Sequence, residues 1–316
     1  MSPKEPMEVD LVYLWVNGND PQWRAKRNAV IGRTEDGSAV NCEGRYADND
    51  ELKFSLRAVE MYAPWIRKIF IVTDNQVPAW LDTSNPKIRI VDHTEILPPK
   101  ALPSFNSSVI EHFICRIPDL GEHYLYANDD MFINRQVTPL DFFTPDGLPI
   151  IRFSRRPFRK LTLFLKEKVL HKKISSYNRK IQNAARAVER KLGVYIGDKS
   201  HHNIDSYNKS YCRRVYDMFR EEIEPTLPHH VRNDSDIQRN LYSYAAIVEK
   251  QCRLEYVSQK TSFRFHIDNH EHYKKLEKYH PMLFCMNDSE YAVPADRELV
   301  TEYLNTRFPN KSAFEK

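Results

Sequence analysis

The sequence predicts an α/β protein in which a mostly parallel sheet is flanked by helices. The first observation behind this prediction is that short strands rich in β-branched and aromatic residues alternate with helix-like segments along the first 150 residues. The second is that polar residues, most of them acidic, directly follow these strands. The third is a composition of 41% hydrophobic and 28% charged residues, which is typical of a globular chain that can bury a sizeable core.

The elements of the predicted sheet follow one another closely. Its strands are short apolar runs at 9–16, 69–73, 88–91 and 124–127. Between the first two strands, Asn49 or Asp50 can cap a helix that ends before Pro64. A further helix begins at Ser107, before the fourth strand, and a last helix spans 295–308.

Polar residues gather where the predicted strands end. They are Asn17, Asp20, Asp74, Asp92, Asp129 and Asp130. Parallel strands end at the same edge of a sheet, and ligands of open α/β sheets bind outside that edge. A turn cap is the simpler explanation for Asp129 and Asp130 alone, since Asn and Asp are common in turns. Acids at four strand ends favour a site instead, and two adjacent carboxylates suit a divalent metal or acid/base catalysis.

Several classes of protein and of site are excluded by what the sequence lacks. It has no run of 18 apolar residues and no apolar core within residues 1–10, so we expect neither a membrane span nor secretion. Its five cysteines are widely spaced without a C-x-x-C pair, which predicts free thiols in a reducing cytosol. It also lacks the G-x-G-x-x-G and G-x-x-x-x-G-K motifs, so bound phosphates would be held by side chains, helix ends and a metal.

Five segments carry further motifs. They are DLVYLWVNGNDPQW, RYADNDELKFSLRAVEMYAPWIRKIFIVTDNQVPAWL, LYANDDMFI, HHNIDSYNK with HVRNDSDIQ, and CMNDSE. In this order they resemble the conserved regions of the Stealth family, which contains bacterial capsular polysaccharide phosphotransferases and is similar in its core to the animal UDP-N-acetylglucosamine lysosomal-enzyme phosphotransferase. The resemblance covers most of 9–146, 200–248 and 284–290. It implies a Rossmann-like or glycosyltransferase-A-like sheet in an enzyme that moves a hexose 1-phosphate from a nucleotide-sugar to a hydroxyl and releases the nucleoside monophosphate.

The resemblance also implies roles for particular residues. His202, within HHNID, is the candidate general base, because imidazole titrates near neutral pH and can take the proton of an acceptor hydroxyl. Arg232 is the candidate phosphate ligand, and it precedes a predicted helix that Asn233 or Asp234 can cap. The alternatives are a structural histidine and a surface ion pair of Arg232 with Asp234 or Asp236.

A divalent cation and a nucleotide-sugar complete the predicted site. The predicted cofactor is Mg²⁺ or Mn²⁺, which takes oxygen ligands from carboxylates and from the phosphates of a substrate. Its predicted ligands are Asp129, Asp130, Asn287 and Asp288. A plain turn is the alternative explanation for Asn287 and Asp288. The predicted donor is a UDP-sugar. Its predicted contacts are Trp15, Asn17, Gly18, Asp20, Arg45, Glu51, Asp74 and Lys209. For Trp15, a place in the hydrophobic core is an equal alternative.

One segment departs from the sheet pattern. Residues 152–192 contain fourteen Lys or Arg against two acids, with apolar residues interleaved at roughly helical spacing. A basic amphipathic helix can lie on an anionic membrane or hold an anionic acceptor, and a solvated helical hairpin is the alternative. We therefore predict a nucleotide-sugar-binding α/β core over 1–150, a basic helical insertion over 151–198, and the remainder of the catalytic core over 199–316.

A histidine cluster lies close to the end of the chain, in HIDNHEH at 266–272. Its spacing could bind a transition metal. The charged neighbours and the lack of a nearby cysteine favour a solvated loop.

The leading hypothesis is a hexose-1-phosphate transferase of capsule or cell-surface polysaccharide synthesis. It would move a sugar 1-phosphate, with N-acetylhexosamine 1-phosphate as the favoured group, from a UDP-sugar to a glycan or lipid-linked oligosaccharide, forming a phosphodiester and releasing UMP. The first alternative is a metal-dependent glycosyltransferase that releases UDP, and the second is a non-enzymatic carbohydrate-binding or membrane-adaptor protein. The predicted location is the cytoplasm, with peripheral contact at the inner face of the cell membrane through 152–192. No nucleic acid partner is expected, since the sequence contains no recognisable motif of a nucleic-acid-binding domain.

Overall fold

The structure, a computed structural model, describes residues 7–32, 48–289 and 291–316. The predicted donor contact Arg45 therefore lies outside the described residues. The strands are β1 (Val9–Leu14), β2 (Ile69–Thr73), β3 (Ile88–Asp92), β4 (His123–Asn128), β5 (Met131–Ile133), β6 (Ile150–Ser154), β7 (Lys199–Ser200), β8 (Asp205–Asn208), β9 (Arg253–Tyr256), β10 (Ser262–His266) and β11 (Leu283–Asn287). The α-helices are α1 (Pro21–Ile31), α2 (Glu51–Tyr62), α3 (His93–Ile96), α4 (Ser107–Ile110), α5 (Arg159–Phe164), α6 (Ser176–Leu192), α7 (Lys209–Met218), α8 (Arg220–Ile223), α9 (Asn240–Val248), α10 (Glu271–Tyr279) and α11 (Pro294–Arg307).

The main sheet has the strand order β3-β2-β1-β4-β8. Its first four strands are parallel, and β8 runs antiparallel to β4. The register pairs Leu14 of β1 with Val72 of β2 and with Asn128 of β4, so these strands end together. The prediction of an α/β fold with a mostly parallel sheet is confirmed.

Side chains of the main sheet alternate between two apolar layers, one on each face. Leu11 and Tyr13 of β1 pack with Leu52 and Leu56 of α2 on one face. Val12 points to the other face, where it joins a layer built from α6, α7 and α9. Both faces are covered by helices, which is why these strands are continuous apolar runs.

Two three-stranded sheets extend this core. Their strand orders are β10-β11-β5 and β7-β6-β9. β5 follows β4 in the chain and pairs with β11, so residues 199–316 contribute strands to the same core as residues 1–150. The backbone N–H of Met286 donates to the Asp130 carbonyl at 3.0 Å, which brings Asn287 to the end of β4.

The helix predicted to follow Arg232 begins later than its cap signal indicates. α9 starts at Asn240, because the residues before it form a turn around the buried carboxylate of Asp236. This carboxylate accepts hydrogen bonds from the Asn233 backbone N–H and from Asn106 Nδ2, both at 2.9 Å. The side chain of Asn233 caps this turn, by accepting a hydrogen bond from the Ser235 backbone N–H at 2.9 Å, and does not cap α9.

Two other predicted elements are shorter than expected. β1 ends at Leu14, so Trp15 lies beyond the strand. The helix predicted from Ser107 is a single α-helical turn that continues as a 3₁₀ helix over Glu111–Arg116.

The basic segment is helical only in part. Arg152 lies in β6 and is buried, and its guanidinium donates to the Asp141 carbonyl. α6 is basic and amphipathic, but Ile181 and Val188 on its apolar face belong to the buried core. This apolar face is therefore covered by the protein itself, and the exposed apolar side chains of the basic segment precede α6. Among the described helices, none combines the length and the apolarity that a membrane crossing requires.

Candidate active site

A cavity of about 700 Å³ opens at the carboxyl-terminal edge of the main sheet. Its volume lies in the range of small-molecule binding sites. The ends of β1, β2 and β4 and the start of α3 form one wall, through Trp15, Asp74, Asn128 and His93. Residues of β10, β11 and the segments that follow them also line the cavity. The strand ends therefore meet at this cavity.

Several buried polar atoms at the cavity have no hydrogen-bond partner within the described part of the chain. They are Asp74 Oδ2, His93 Nδ1, Asp130 Oδ1 and His272 Nδ1. Buried polar groups in folded proteins are nearly always paired. This concentration indicates that a ligand or an ion supplies the missing partners.

Asp129 and Asp130 form the turn between β4 and β5. Asp130 Oδ2 accepts hydrogen bonds from Asn287 Nδ2 at 2.5 Å and from the Cys285 thiol at 3.5 Å. Burial raises the pKa of Asp130 to about 6, although these hydrogen bonds oppose the shift. Burial and then the charge of Asp130 raise the pKa of Asp129 well above its usual value. The two carboxyls thus disfavour each other's charge.

Glu51 adds a third carboxyl to this wall. It is the first residue of α2, and its carboxylate accepts hydrogen bonds from the backbone N–H and from Nδ2 of Asn49, both at 2.7 Å. Burial raises the pKa of Glu51 to about 7. The charges of Glu51 and of Asp48 also contribute to the raised pKa of Asp129. A bound cation would relieve this repulsion.

These residues fit a divalent cation of the magnesium type. Asp130 Oδ1 is an open oxygen ligand, and its crowded neighbours supply negative charge. Nowhere in 7–32, 48–289 or 291–316 do three His, Cys, Asp or Glu side chains converge as a ready-made metal site. Magnesium does not require one, because it binds through one or two carboxylates and the phosphates of its substrate.

The other two predicted metal ligands are placed differently from each other. Asn287 contacts Asp130 directly. The carboxylate of Asp288 instead accepts hydrogen bonds from Arg297 Nε at 2.7 Å and Nη2 at 3.3 Å. Asp288 lines the cavity, but its charge is already balanced by a guanidinium.

The two histidines of HHNID have different environments. His201 is held at both ring nitrogens, by Ser262 Oγ at 2.9 Å and by Asp205 Oδ1 at 3.1 Å. His202 lines the cavity, and its Nε2 lies 3.4 Å from Asn287 Nδ2. The imidazole of His202 is therefore the one that a substrate in the cavity can reach.

Burial and positive charge keep His202 neutral. Burial, followed by the charges of Arg264 and Arg239, lowers the pKa of His202 to about 3. Its backbone φ is 57°, in the left-handed region that residues other than glycine rarely adopt. A neutral imidazole has a lone pair available for a proton, and anionic phosphates in the cavity would raise its pKa towards neutral pH.

Within the described part of the chain, the arginines that line the cavity are Arg232 and Arg264. Arg232 donates to Ser107 Oγ at 3.2 Å, but it does not flank the start of a helix as predicted, since α9 begins only at Asn240. Arg264 of β10 was not indicated by the sequence analysis. It makes no hydrogen bond or ion pair with any residue that the structure describes. Its charge opposes the rise in the pKa of Asp130 and contributes to the lowered pKa of His202. Arg264 therefore lies close to both residues.

Six of the eight predicted donor contacts fall into two groups. Those that line the cavity are Trp15, Glu51 and Asp74. Those in the loop after β1, next to this wall, are Asn17, Gly18 and Asp20. Asp20 Oδ1 caps α1 by accepting a hydrogen bond from the Gln22 backbone N–H at 2.8 Å.

Lys209 lies away from the cavity, and the prediction that it contacts the donor is corrected. It follows β8, whose Asn208 pairs with His123 at the start of β4. Its Nζ donates to the Leu120 carbonyl at 2.8 Å. Because β8 is antiparallel to β4, it returns the chain to the opposite edge of the sheet.

Two groups of residues that line the cavity were not predicted to belong to the site. Trp23 and Phe105 pack edge to face with ring centroids 5.4 Å apart, and both line the cavity. The sequence offers no signal for this pair, because only the fold brings these distant residues together. Within HIDNHEH, His266 and His272 line the cavity, whereas His270 pairs with an aspartate of α11 at 2.6 Å.

Solved structures that this chain resembles are glycosyltransferases. The galactosyltransferase LgtC aligns over 94% of this chain and 95% of its own, with 12% identity and a TM-score of 0.46. The bifunctional glycosyltransferase WbbM aligns over 98% of this chain and 51% of its own, with 10% identity and a TM-score of 0.47. Scores of this size carry no argument about the chemistry of this chain.

Sequence relatives and family models give a closer match. Models of Stealth protein conserved regions 1 and 2 match residues 7–35 and 45–151. The exopolysaccharide phosphotransferase cps2G of Lactiplantibacillus plantarum is 32% identical over 98% of this chain and 97% of its own length. The capsular polysaccharide phosphotransferase fcs1 of Haemophilus influenzae is 31% identical over 90% and 79%. The exopolysaccharide phosphotransferase SCO6023 of Streptomyces coelicolor is 34% identical over 98% of this chain, which spans about half (52%) of that relative. The chain is therefore a phosphotransferase of the Stealth family.

Proposed function

We propose that the protein transfers a sugar 1-phosphate from a UDP-sugar to a hydroxyl of a glycan acceptor, and that it serves capsule or cell-surface polysaccharide synthesis. N-acetylhexosamine 1-phosphate is the favoured group. The observation that carries this proposal is the placement of His202, Asn287 and Asp130 side by side in one cavity. A base thus lies next to a carboxylate that can hold a cation and its bound phosphates.

The proton balance of the reaction assigns a task to His202. The acceptor oxygen attacks the β-phosphorus of the donor, a new P–O bond forms, and the bond between the β-phosphorus and the bridging oxygen breaks. The bridging oxygen leaves with UMP. Nε2 of His202 takes the proton of the acceptor hydroxyl and later releases it to solvent.

The phosphates would be met by positive side chains. Phosphoryl transfer depends on positioning and on stabilisation of charge, and arginine suits both because its guanidinium can form two parallel hydrogen bonds. Arg264 lines the cavity and makes no hydrogen bond or ion pair with a described residue, so its N–H groups are available to a phosphate. Arg232 also lines the cavity, beside Ser107.

The acidic wall would hold the cation. Asp130 and Asp129 are the residues proposed to bind Mg²⁺ or Mn²⁺, with Glu51 adding negative charge nearby. Such a cation, when bound, would neutralise the diphosphate and the leaving phosphate. The aromatic wall of Trp15, Trp23 and Phe105 offers flat apolar surface for the uracil base.

The acceptor is proposed to be a glycan or a lipid-linked oligosaccharide, at the cytoplasmic face of the cell membrane. The reducing location is supported by the four cysteines within the described residues, which are all free thiols. A non-enzymatic binding or adaptor role is not retained, because the chain belongs to a family of phosphotransferases.

Identification of the released nucleotide tests this proposal. The purified protein is incubated with UDP-N-acetylglucosamine, a capsule-type oligosaccharide and Mg²⁺, the nucleotides are separated by chromatography, and ³¹P spectra of the product are recorded. UMP together with a new phosphodiester resonance is the expected result. Release of UDP would show attack at the anomeric carbon instead, as in a metal-dependent glycosyltransferase, and would leave His202 without its proposed task.

A further inference from the structure

The chain between β6 and α6 exposes large apolar side chains at an unusual density. They are Phe158 (78% exposed), Leu161 (54%), Phe164 (56%), Leu165 (41%), Val169 (57%) and Leu170 (59%). The described residues include fourteen large apolar side chains with this degree of exposure, and six of them lie in these thirteen positions. We call residues 158–170 the apolar patch. A concentration of exposed apolar side chains of this kind indicates a binding surface.

The apolar patch is embedded in positive charge. Residues 155–173 contain eight Lys or Arg and a single acid, Glu167. The Glu167 carboxylate is paired with Arg179 of α6 at 2.7 Å, so it is directed towards the protein. The outward surface of the segment therefore combines apolar groups with cations.

One side of the segment packs against the rest of the protein. Leu163, in the middle of α5, is 8% exposed, and Ile174, just after the patch, is 2% exposed. Lys160 of α5 also pairs with Glu189 of α6. These contacts fix one side of the segment and leave the apolar patch on the other.

We propose that the apolar patch and its basic flanks dock on the surface of a membrane that contains anionic lipids. Apolar side chains of an interfacial segment enter the boundary between head groups and acyl chains, and nearby Lys and Arg bind the anionic head groups. A second copy of the chain fits less well. A two-fold contact would set the same strongly positive surface against itself, and like charges would repel.

The position of the apolar patch relative to the cavity gives this docking a consequence. Arg159, in the patch, donates to Asn178 Oδ1 at 3.0 Å, next to Tyr177. Tyr177 lines the cavity, and its ring lies 6.0 Å from the ring of His202. The segment that carries the apolar patch is therefore linked, through Arg159 and the start of α6, to the wall that carries His202. If the proposed function holds, a lipid-linked acceptor would reach the base from this side.

Vesicle sedimentation with purified protein tests the docking without requiring any turnover. Vesicles of phosphatidylglycerol and phosphatidylcholine are compared with vesicles of phosphatidylcholine alone, for the wild type and for the variant Leu161→Ser, Phe164→Ser, Val169→Ser. The matched control is Leu140→Ser, which replaces an apolar side chain that is 56% exposed outside the patch. All four sites are exposed, so folding should survive, and circular dichroism checks it.

We expect binding to the anionic vesicles that weakens as salt is added, and a loss of at least roughly tenfold in the patch variant with no loss in the control. Equal binding by wild type and patch variant would overturn the proposal, as would failure of the wild type to bind anionic vesicles. A wild-type dimer that the patch variant abolishes in sedimentation velocity would assign the surface to a second copy. Turnover on a soluble acceptor should be unchanged in the patch variant, so failure of docking and failure of the proposed reaction are distinguishable.

Discussion

Asn287 Nδ2 lies 2.5 Å from Asp130 Oδ2, although the two residues are far apart in the sequence. The pairing of β11 with β5 makes this contact possible, because it places the end of β11 beside the turn that follows β4. The same amide lies 3.4 Å from His202 Nε2. One side chain thus holds the proposed base and the proposed cation ligand at a fixed separation, and the predictions below test the parts of this arrangement.

Replacement of His202 by alanine should abolish turnover without abolishing donor binding. We expect kcat to fall by about 10² to 10⁴, the usual contribution of a general base. The Kd for the UDP-sugar, measured by calorimetry, should change little because a neutral imidazole contributes no charge to the phosphates. His201→Ala is the matched control. It removes two buried hydrogen bonds and should lower stability by roughly 1 to 3 kcal/mol. A His202→Ala enzyme with more than a tenth of wild-type turnover would exclude the assigned role.

The two aspartates Asp130 and Asp288 should respond differently when their charge is removed. Asp130→Asn should weaken Mn²⁺ binding by at least about tenfold, because it removes the charge of a buried carboxylate whose Oδ1 is open to a cation. Asp288→Asn should leave Mn²⁺ binding nearly intact and instead lower the Tm, because it breaks the pair with Arg297. Electron paramagnetic resonance of Mn²⁺ with UDP present measures the first effect, and calorimetric scans measure the second. The reverse order of effects would make Asp288 the cation ligand.

The strands of the main sheet could be predicted because each carries its signal locally. Residues such as those of 69–73 are apolar on both faces, and helices cover both faces of the sheet. The strands β5 and β11 could not be predicted in the same way. β5 has three residues, and only its pairing with β11 makes it a strand. The start of α9 was placed too early because the carboxylate of Asp236 bonds to Asn106 from a distant part of the chain.

The site followed from the sequence where chemistry and strand ends coincide, as at Asp129 and Asp130. It did not follow for Arg264, because an isolated arginine between apolar residues has no local signal of its direction. It was misplaced for Lys209, since a motif does not reveal that an antiparallel strand carries its end to the other edge of the sheet. For α6 the amphipathic pattern was real, but the core rather than a membrane covers its apolar face.

Arg264 should be needed for productive binding of the donor phosphates. Arg264→Ala should lower kcat/KM for the UDP-sugar by about tenfold to a hundredfold, since hydrogen bonds to charged groups contribute about 1.5 to 3 kcal/mol. Arg264→Lys should restore part of this loss, because it keeps the charge but not the two-pronged geometry. Lys209→Ala is the control, and its KM for the donor should match the wild type. An unchanged kcat/KM in Arg264→Ala would remove this residue from the proposed phosphate site.

Glu51 links the acidic wall to the pH dependence of stability. Its side chain is buried, and burial raises its pKa from 4.5 to about 7. Between these two pH values the folded protein holds a proton on Glu51 that the unfolded chain has lost. The free energy of unfolding contributed by this group therefore falls as the pH rises through that window. Burial of His93 and His112 lowers the pKa of each to about 4, and these groups act in the opposite direction below pH 6.5, so the wild type alone cannot isolate Glu51.

Comparison of the wild type with Glu51→Gln isolates this group, because glutamine does not titrate and the histidines are common to both proteins. Without a divalent cation, the unfolding free energy of the wild type relative to the variant should fall by about 3 to 4 kcal/mol as the pH rises from below the unfolded pKa to above the folded one, at ~1.4 kcal/mol per pKa unit. Urea unfolding at a series of pH values measures this difference. Saturating Mn²⁺ should shrink it, since a cation beside the acidic wall favours the ionised carboxylate. Parallel stability curves for the two proteins would mean that the pKa of Glu51 is the same in the folded and the unfolded chain, which would contradict the effect of its burial.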